Sequence, residues 1–212
     1  MHNLPFDYRK AVQAINYFAR ANGGVITKLD VLKLIFFSDR YHLRKYGRPI
    51  TNDQYWAMQF GPVASAVKEM AELDSLCGTE RHYAERVFQK ATPEYHLQSI
   101  SPVDEDVFSD SDLEALAYVW TDFGSKRMNL VNITHQYPEW KKHEAALAGG
   151  MSRVRMDLAD SLDDPESDVD PCWSLTPEER QARREALGHL HQIESIAGSF
   201  FIGHHPVHEQ VP

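Results

Sequence analysis

The residues best suited to chemistry in this chain stand together in one short stretch. Residues 28–63 read KLDVLKLIFFSDRYHLRKYGRPITNDQYWAMQFGPV, and Asp39, Arg40, Tyr41 and His42 are consecutive within it. A carboxylate, a guanidinium, a phenol and an imidazole in one place could catalyse acid–base chemistry, bind phosphate groups or contact another protein. The residues around this cluster decide between the three uses.

The position of Asp39 favours a structural role over a catalytic one. Leu32, Phe36, Asp39 and Leu43 are spaced by four, three and four, so they share one face of a helix. A charged carboxylate on an apolar face is costly unless it is paired or hydrogen-bonded. We therefore expect Asp39, together with Tyr41, to lock this helix to the hairpin that follows it. No matched acid, base or nucleophile accompanies Asp39, so we predict no catalytic residue.

A second face of the same helix is basic. Lys33, Phe37, Arg40 and Arg44 follow the same spacing and are called the basic stripe below. The stripe is either a solvated face with Phe37 buried at its edge or a contact surface for an acidic partner, because arginine and aromatic side chains are enriched at binding hot spots.

The sequence lacks the residue spacings that are typical of metal and cofactor sites. The chain has eleven histidines but no HExxH motif, and His135 and His143 lie on either side of Pro138. Cys77 and Cys172 have no CxxC spacing, which is typical of two reduced thiols in a cytoplasmic protein. Motifs of the GxGxxG, GxxxxGK[ST] and GxSxG types are absent from the sequence. We expect no metal, no cofactor and no enzymatic activity.

The charge of the chain argues against general binding of nucleic acid. The formal net charge is −9, and residues 76–212 carry 12 Lys or Arg against 24 Asp or Glu. Affinity for nucleic acid depends on neutralising phosphates, so this region should repel DNA. Residues 1–75 carry 10 basic against 7 acidic residues, and their helix–turn–helix character leaves open a DNA-binding regulator in which Lys33, Arg40 and Arg44 face phosphates.

Nothing in the sequence indicates export or membrane insertion. The first ten residues, MHNLPFDYRK, lack the apolar region and cleavage site of a signal peptide. No apolar run approaches the roughly 18 residues that a membrane span needs. We expect a cytoplasmic protein.

Helical periodicity and turn residues outline the amino-terminal half. A helix over 6–21 should end at Asn22-Gly23-Gly24. Thr27 is the expected N-cap of a helix over 28–46 that ends at Gly47, and Pro49 prevents its continuation. Asn52-Asp53 is the predicted turn of a short hairpin, and Pro62 is the predicted first position of the third helix.

The carboxyl-terminal half alternates predicted strands, helices and a polar segment. We predict a hairpin around Thr92-Pro93, a helix capped by Ser109 or Ser111, and a helix over 128–147 interrupted near Pro138. Residues 157–170 hold seven acidic residues and no Lys or Arg, which favours a solvated linker. Thr176 should cap a last helix over 176–198. The expected fold is mainly α (α+β): a compact helical domain at 1–148 with a small antiparallel sheet, an acidic linker at 149–175, and a helix and loose tail at 176–212.

The stretch 28–63 resembles the Panacea domain of SocA-like antitoxins, which also occurs in phage-associated GepA-like proteins. The resemblance covers about residues 5–145 and is strongest over 28–70. It rests on these residues: Lys28-Leu29, Lys33-Leu34, Phe36-Phe37, Asp39 to Leu43, Tyr46-Gly47, Pro49-Ile50, Tyr55, Gly61-Pro62-Val63, Ile133-Thr134-His135 and Pro138-Glu139-Trp140. The acidic linker and the last helix lie outside the pattern.

The resemblance implies a function through partners. It implies an antitoxin that neutralises, by direct contact, a toxin made by the adjacent gene; a proteolytic adaptor that delivers the toxin to a protease is the alternative, beside the DNA-binding regulator. The identity of the toxin, the oligomeric state and the role of the last helix stay open.

Two sets of residues follow from this interpretation. The predicted partner surface comprises Lys33, Phe37, Arg40, Arg44, Tyr55, Trp56 and Gln59. The predicted structural motif comprises Asp39, Tyr41, Tyr46, Gly47, Pro49, Gly61 and Pro62.

Overall fold

Helices predominate in the structure, with two small antiparallel sheets. The computed structural model describes residues 6–74, 76, 78–93 and 95–188. The prediction of a mainly helical fold with short antiparallel strands is confirmed. The predictions for Cys77, for the histidines after residue 188 and for the tail lie outside the described residues.

The first helix begins two residues later than predicted and ends at the predicted residue, and the second helix agrees with its prediction at both ends. Helix α1 (Tyr8–Ala21) ends at Asn22, and Gly23 and Gly24 follow with φ of 76° and 100°. Helix α2 (Lys28–Tyr46) is capped by the Thr27 hydroxyl, which accepts a hydrogen bond from the Asp30 amide at 3.0 Å. The left-handed Gly47, with φ of 84°, ends α2.

Helix α2 is the central element of the fold. Every residue from Val31 to Arg44 is buried. Helix α5 (Asp110–Phe123) lies along it, and α1 and the second strand of the following hairpin (Gly61–Ala64) add further contacts. A helix buried on all sides has no solvated polar face, so its charged residues must find partners inside the protein.

The hairpin lies later in the sequence than predicted. Strands β2 (Tyr55–Met58) and β3 (Gly61–Ala64) pair with each other, so the turn is at Gln59-Phe60, and the prediction of Asn52-Asp53 as the turn is wrong. Pro62 lies in β3, and helix α3 (Ser65–Glu72) begins three residues later than we expected.

The Asp53 side chain explains the shift. Its Oδ1 and Oδ2 atoms accept hydrogen bonds from the amides of Ala66 (3.1 Å) and Val67 (2.7 Å) at the start of α3. Asp53 therefore caps α3 although it lies twelve residues before that helix begins. Because its side chain is bound there, Asp53 does not form the turn, and the two paired strands lie after it in the chain.

The predicted second hairpin is present and has a third strand. Strands β4 (Phe88–Ala91) and β5 (His96–Ser99) pair around Thr92-Pro93, after helix α4 (Gly78–Glu85). Strand β1 (Val25–Thr27), which the sequence analysis missed, pairs with β5 to give the order β1-β5-β4. In the other sheet, β6 (Val154–Arg155) pairs with β2 to give the order β3-β2-β6.

The predicted helix over 128–147 is divided into three short helices. These are α6 (Leu130–Thr134), α7 (Pro138–Lys141), which begins at the predicted interruption, and α8 (Glu144–Ala148). Ser109 caps α5 through a complete capping box with Asp112. A last helix, α9, begins at residue 177 and is described to residue 188; Thr176 accepts from the Glu179 amide at 3.2 Å, as predicted for its cap.

The acidic segment packs on the domain instead of forming a solvated linker. Residues 157–175, called the strap below, contain a 3₁₀ turn at Leu158–Leu162 and the buried side chains of Leu162, Cys172 and Leu175. Leu162 and Leu175 form a second apolar cluster with Leu43 of α2 and Leu187 of α9. The expectation of a solvated linker is wrong because the strap buries apolar residues between its acidic ones.

Within the described residues, no helix is both long and apolar enough to cross a membrane.

Candidate functional site

Asp39 accepts four hydrogen bonds at the point where the chain leaves α2. Its Oδ1 accepts from the amides of Ile50 (2.8 Å) and Thr51 (3.0 Å). Its Oδ2 accepts from the Thr51 hydroxyl (2.5 Å) and the Tyr55 hydroxyl (2.9 Å). Burial raises the pKa of Asp39, and these hydrogen bonds oppose the rise. The carboxylate thus joins α2 to the segment that leads into the hairpin and, through Tyr55, to the first strand of the hairpin.

The two residues after Arg40 turn toward α5. The Tyr41 hydroxyl donates to Glu114 at 2.6 Å, and its ring stacks on Tyr118 with centroids 4.3 Å apart. His42 Nε2 lies 3.1 Å from an oxygen of Asp112. Tyr41 was expected to hold the hairpin, but it contacts α5 instead. The consecutive residues Asp39 to His42 therefore project in different directions and form no common catalytic site.

The basic stripe is buried beneath other parts of the chain. Lys33, Phe37, Arg40 and Arg44 are each at most 1% exposed. The expectation of a stripe on the surface is wrong in this structure, because a helical wheel shows which residues share a face and not what covers that face.

The strap covers the two arginines. Arg40 donates to the backbone carbonyls of Asp163 (2.7 Å) and Pro171 (3.3 Å), and to the Glu139 carboxylate. Its guanidinium also lies 4.5 Å from the centroid of the Tyr137 ring. With all these partners inside the protein, Arg40 joins α2, α7 and the strap.

Arg44 binds both ends of the strap. Its Nε donates to the Trp173 carbonyl at 2.6 Å, and its Nη1 donates to the carbonyls of Ser161 and Asp163, both at 3.1 Å. Its Nη2 pairs with the carboxylate of Asp164. Neither arginine can contact a phosphate while the strap is in place, so the structure offers no support for the DNA-binding arrangement.

Most acidic side chains of the strap are engaged inside the molecule. Asp160 pairs with Lys142, and Glu166 pairs with Lys141 of α7 at 2.9 Å. Asp163 lies 2.6 Å from Arg184, and Asp164 also pairs with Arg180, both in α9. Complementary charges on α2, α7 and α9 thus hold a segment whose composition alone predicted solvation.

Lys33 of α2 binds the backbone of the hairpin from the interior of the protein. Its Nζ donates to the Pro62 carbonyl at 2.6 Å, and its side chain has no exposed surface. Burial lowers the pKa of Lys33 to about 7. An amine with no exposed surface cannot reach an external substrate, so we assign it a positioning role.

The turn of the hairpin is fixed by close contacts with α6 and α7. Gly61 has a φ of 92°, and a Cβ there would lie 2.5 Å from the Thr134 hydroxyl. The Trp140 indole donates to the Met58 carbonyl at 2.9 Å, and its ring stacks on His135 with centroids 3.6 Å apart. The end of the hairpin therefore rests on a rigid base.

The predicted structural motif occupies the ends of α2 and of the hairpin. Tyr46 is 39% exposed, and its hydroxyl donates to Glu114 at 2.5 Å. Pro49 separates the helix end at Gly47 from the amides that Asp39 binds.

The side chains that the hairpin exposes to solvent differ from those of the predicted partner surface. Of the seven predicted residues, only Trp56, which is half-buried, and Gln59 reach the surface; Tyr55 is buried. Phe60, which the sequence analysis missed, is 61% exposed at the turn, next to the half-buried Met58. The signal in the sequence was the glycine after Phe60, which places that side chain in a tight turn.

The described part of the chain shows neither a cluster of metal ligands nor a groove with free catalytic groups. No three His, Cys, Asp or Glu side chains there converge to hold a metal ion. An open groove of about 420 Å³ lies between Tyr118 and Trp173, but the carboxylate of Asp170 in it already accepts from the Tyr118 hydroxyl and the Cys172 amide.

Comparison with known proteins gives one family match. The family described as antitoxin SocA-like, Panacea domain, matches residues 31–141. These residues run from α2 through α7 and include the whole β2–β3 hairpin. No curated protein and no solved structure matches the chain significantly.

Proposed function

The chain belongs to the SocA-like antitoxin family with the Panacea domain, and from this premise we propose that it neutralises a cognate toxin by direct protein–protein contact. The toxin would be encoded by the adjacent gene, and both proteins would act in the cytoplasm. The antitoxin would need no cofactor and no catalysis of its own, because it works by occupying a surface of the toxin.

The exposed end of the β2–β3 hairpin is the observation that carries the proposal. Trp56, Met58 and Phe60 follow one another on alternate positions, and Phe60 is among the most exposed large apolar side chains described. Aromatic side chains are enriched at binding hot spots. The rigid base formed by Lys33, Gly61 and Trp140 limits the conformational entropy that binding would remove.

The buried members of the predicted partner surface take an indirect part in this proposal. Arg40 and Arg44 hold the strap, and Tyr55 of the hairpin binds Asp39, so these buried side chains would stabilise the fold without touching the toxin. Contact would be made by Trp56, Gln59 and Phe60.

Co-expression with the adjacent reading frame tests the proposal. The neighbour alone should stop growth of an inducible host, and the chain should restore growth and co-purify with the neighbour. A Phe60→Ser variant should weaken both rescue and co-purification. Tyr95→Ser is the matched control, since Tyr95 is 57% exposed in the turn of the other sheet, and it should behave as wild type.

Two outcomes would redirect the proposal. Rescue without a stable complex, together with loss of the neighbour in a protease-competent host only, would indicate a proteolytic adaptor. A harmless neighbour, or equal effects of Phe60→Ser and Tyr95→Ser, would contradict neutralisation through the hairpin.

A further inference from the structure

Two arginines flank Trp56, the half-buried tryptophan of the hairpin. The guanidinium of Arg153 lies 4.6 Å from the centroid of the Trp56 ring. Arg155 of β6 is the direct cross-strand partner of Trp56, so their side chains leave the sheet on the same face. Both arginines are exposed, so an indole and two guanidinium groups share one small surface.

These two charges have no carboxylate partner within the described part of the chain. Neither Arg153 nor Arg155 forms an ion pair with a carboxylate among the residues that the structure describes, although the chain carries a net charge of −9. Arg40, Arg44, Arg180 and Arg184 are engaged by the strap or by its carboxylates. Two exposed guanidinium groups beside a half-buried indole, without a carboxylate partner among the described residues, are available to a partner protein.

The arginines also lie outside the family match. The match ends at residue 141, whereas β6 begins at Val154 and adds itself to the edge of the matched hairpin. A strand outside the family match thus places two positive charges beside a hairpin that lies within the match.

We propose that Trp56, Arg153 and Arg155 form a selective contact for a toxin whose binding surface has an acidic rim around an apolar centre. This inference rests on the proposed function and adds the chemistry of the partner to it. Phe60 and Met58 would meet the apolar centre, and the two arginines would pair with carboxylates at its edge, which speeds association and disfavours toxins with a basic rim.

An acidic protein fits this surface better than a nucleic acid does. Tracts that bind single or double strands neutralise several successive phosphates with a row of cations. Here the cations number two, and the exposed Asp157 follows Arg155 by two residues. Charge complementarity therefore points to carboxylates presented by a folded partner.

The test measures the affinity of the purified full chain for the neighbour-encoded protein at about 50 mM and about 500 mM NaCl. The double variant R153E/R155E should bind roughly tenfold or more weakly at low salt, mainly through slower association, and its affinity should depend little on salt. R153K/R155K should retain the salt dependence because it retains the charge.

The matched control is R9E/R86E. Arg9 and Arg86 are also exposed and also flank one ring, with guanidinium groups 5.9 and 6.0 Å from the centroid of Tyr83, on α1 and after α4. This control makes the same change in net charge at another place, so it should leave the affinity within about twofold of wild type. Thermal melts of all variants should coincide with wild type.

The outcomes separate the inference from the function on which it rests. Rescue and binding by wild type, with unchanged affinity of R153E/R155E or an equal loss in R9E/R86E, would overturn the acidic-rim contact and leave the antitoxin role standing. Absence of any complex with wild type would overturn both. Salt-sensitive binding of a single-stranded oligonucleotide that R153E/R155E abolishes, without an effect of that variant on the neighbour, would replace the protein partner with nucleic acid.

Discussion

Asp39 and Arg40 are adjacent in the chain, yet they stabilise different parts of the molecule. Asp39 binds the segment that leads into the hairpin, and Arg40 binds α7 and the strap. Replacing Arg40 by glutamate would place a second buried carboxylate beside Glu139, so this change should unfold the domain. The predicted partner surface, which includes Arg40, would have suggested instead a folded variant that binds the toxin more weakly.

Replacing Asp39 by alanine should be strongly destabilising. The amides of Ile50 and Thr51 and the hydroxyl of Tyr55 would stay buried without their acceptor. We expect the free energy of unfolding to fall by roughly 3–5 kcal/mol in urea titrations. Tyr55→Phe removes one of these bonds and should cost only about 1 kcal/mol. A melting curve of Asp39→Ala that overlays wild type would disprove the lock.

Lys33 should make the stability of the protein depend on pH above neutrality. Its folded-state pKa is lowered to about 7 from 10.5, so across this interval the unfolded chain binds a proton that the folded chain does not. The free energy of unfolding therefore rises with pH in wild type, and the cost of burying the charge is greatest below about pH 7.

The variant Lys33→Met isolates this effect. It should be more stable than wild type at about pH 6, and its advantage should shrink by roughly 1.4 kcal/mol per pH unit as the pH rises above 7. Urea unfolding of both proteins at about pH 6, 8 and 9.5 measures the difference. Parallel pH profiles would mean that Lys33 keeps an ordinary pKa in the folded protein.

At the residue scale, the sequence predicted local bonds better than it predicted exposure. The Thr27, Ser109 and Thr176 caps need only residues three positions away, and the apolar face around Asp39 follows from helical spacing. The burial of Arg44 depends on Trp173, which is 129 residues distant in the chain. No periodicity within α2 contains that information.

At the scale of elements, the hairpin shows why some observed boundaries of strands and helices differ from the predicted ones. Asn52-Asp53 has the composition of a turn, but the Asp53 carboxylate caps α3 instead. Strands β1 and β6 have three and two residues, too few for an alternating pattern to appear. Both strands form because each pairs with the edge of a longer strand, β1 with β5 and β6 with β2.

The strap should detach locally when Arg44 is removed. Arg44→Ala deletes hydrogen bonds to three strap carbonyls and the ion pair with Asp164. We expect faster amide hydrogen exchange over 158–175 and a loss of roughly 3 kcal/mol in stability, while exchange in β4 and β5 stays slow.

A control at a surface arginine distinguishes this local opening from a general loss of charge. Arg20→Ala removes an exposed guanidinium that donates to the Ser101 carbonyl at 3.3 Å, and exchange over 158–175 should be unaffected. Uniformly faster exchange throughout Arg44→Ala would instead show that the strap unfolds only together with the whole domain.

At the scale of the whole molecule, the folded unit extends past the region that defines the family. The match ends at residue 141, but Leu43, Arg40 and Arg44 within it complete their contacts with residues 161–187. The division of the chain after residue 148 remains a prediction, and the packing of the strap argues that the first part is incomplete on its own.

Truncation tests where the unit ends. A chain ending at residue 148 would expose Leu43 and two arginines, and would lose the burial of Leu162, Leu175 and Leu187. At roughly 1.5–3 kcal/mol for each buried leucine, that loss is comparable with the entire stability of an ordinary domain. We therefore expect the 1–148 chain to be unfolded or aggregated by circular dichroism and size-exclusion chromatography.

A chain ending at residue 188 keeps all three leucines and the ion pairs of Arg180 and Arg184, and it should melt cooperatively within a few degrees of the full chain. A cooperative melt of the 1–148 chain would show instead that the strap is an accessory laid over a self-sufficient domain.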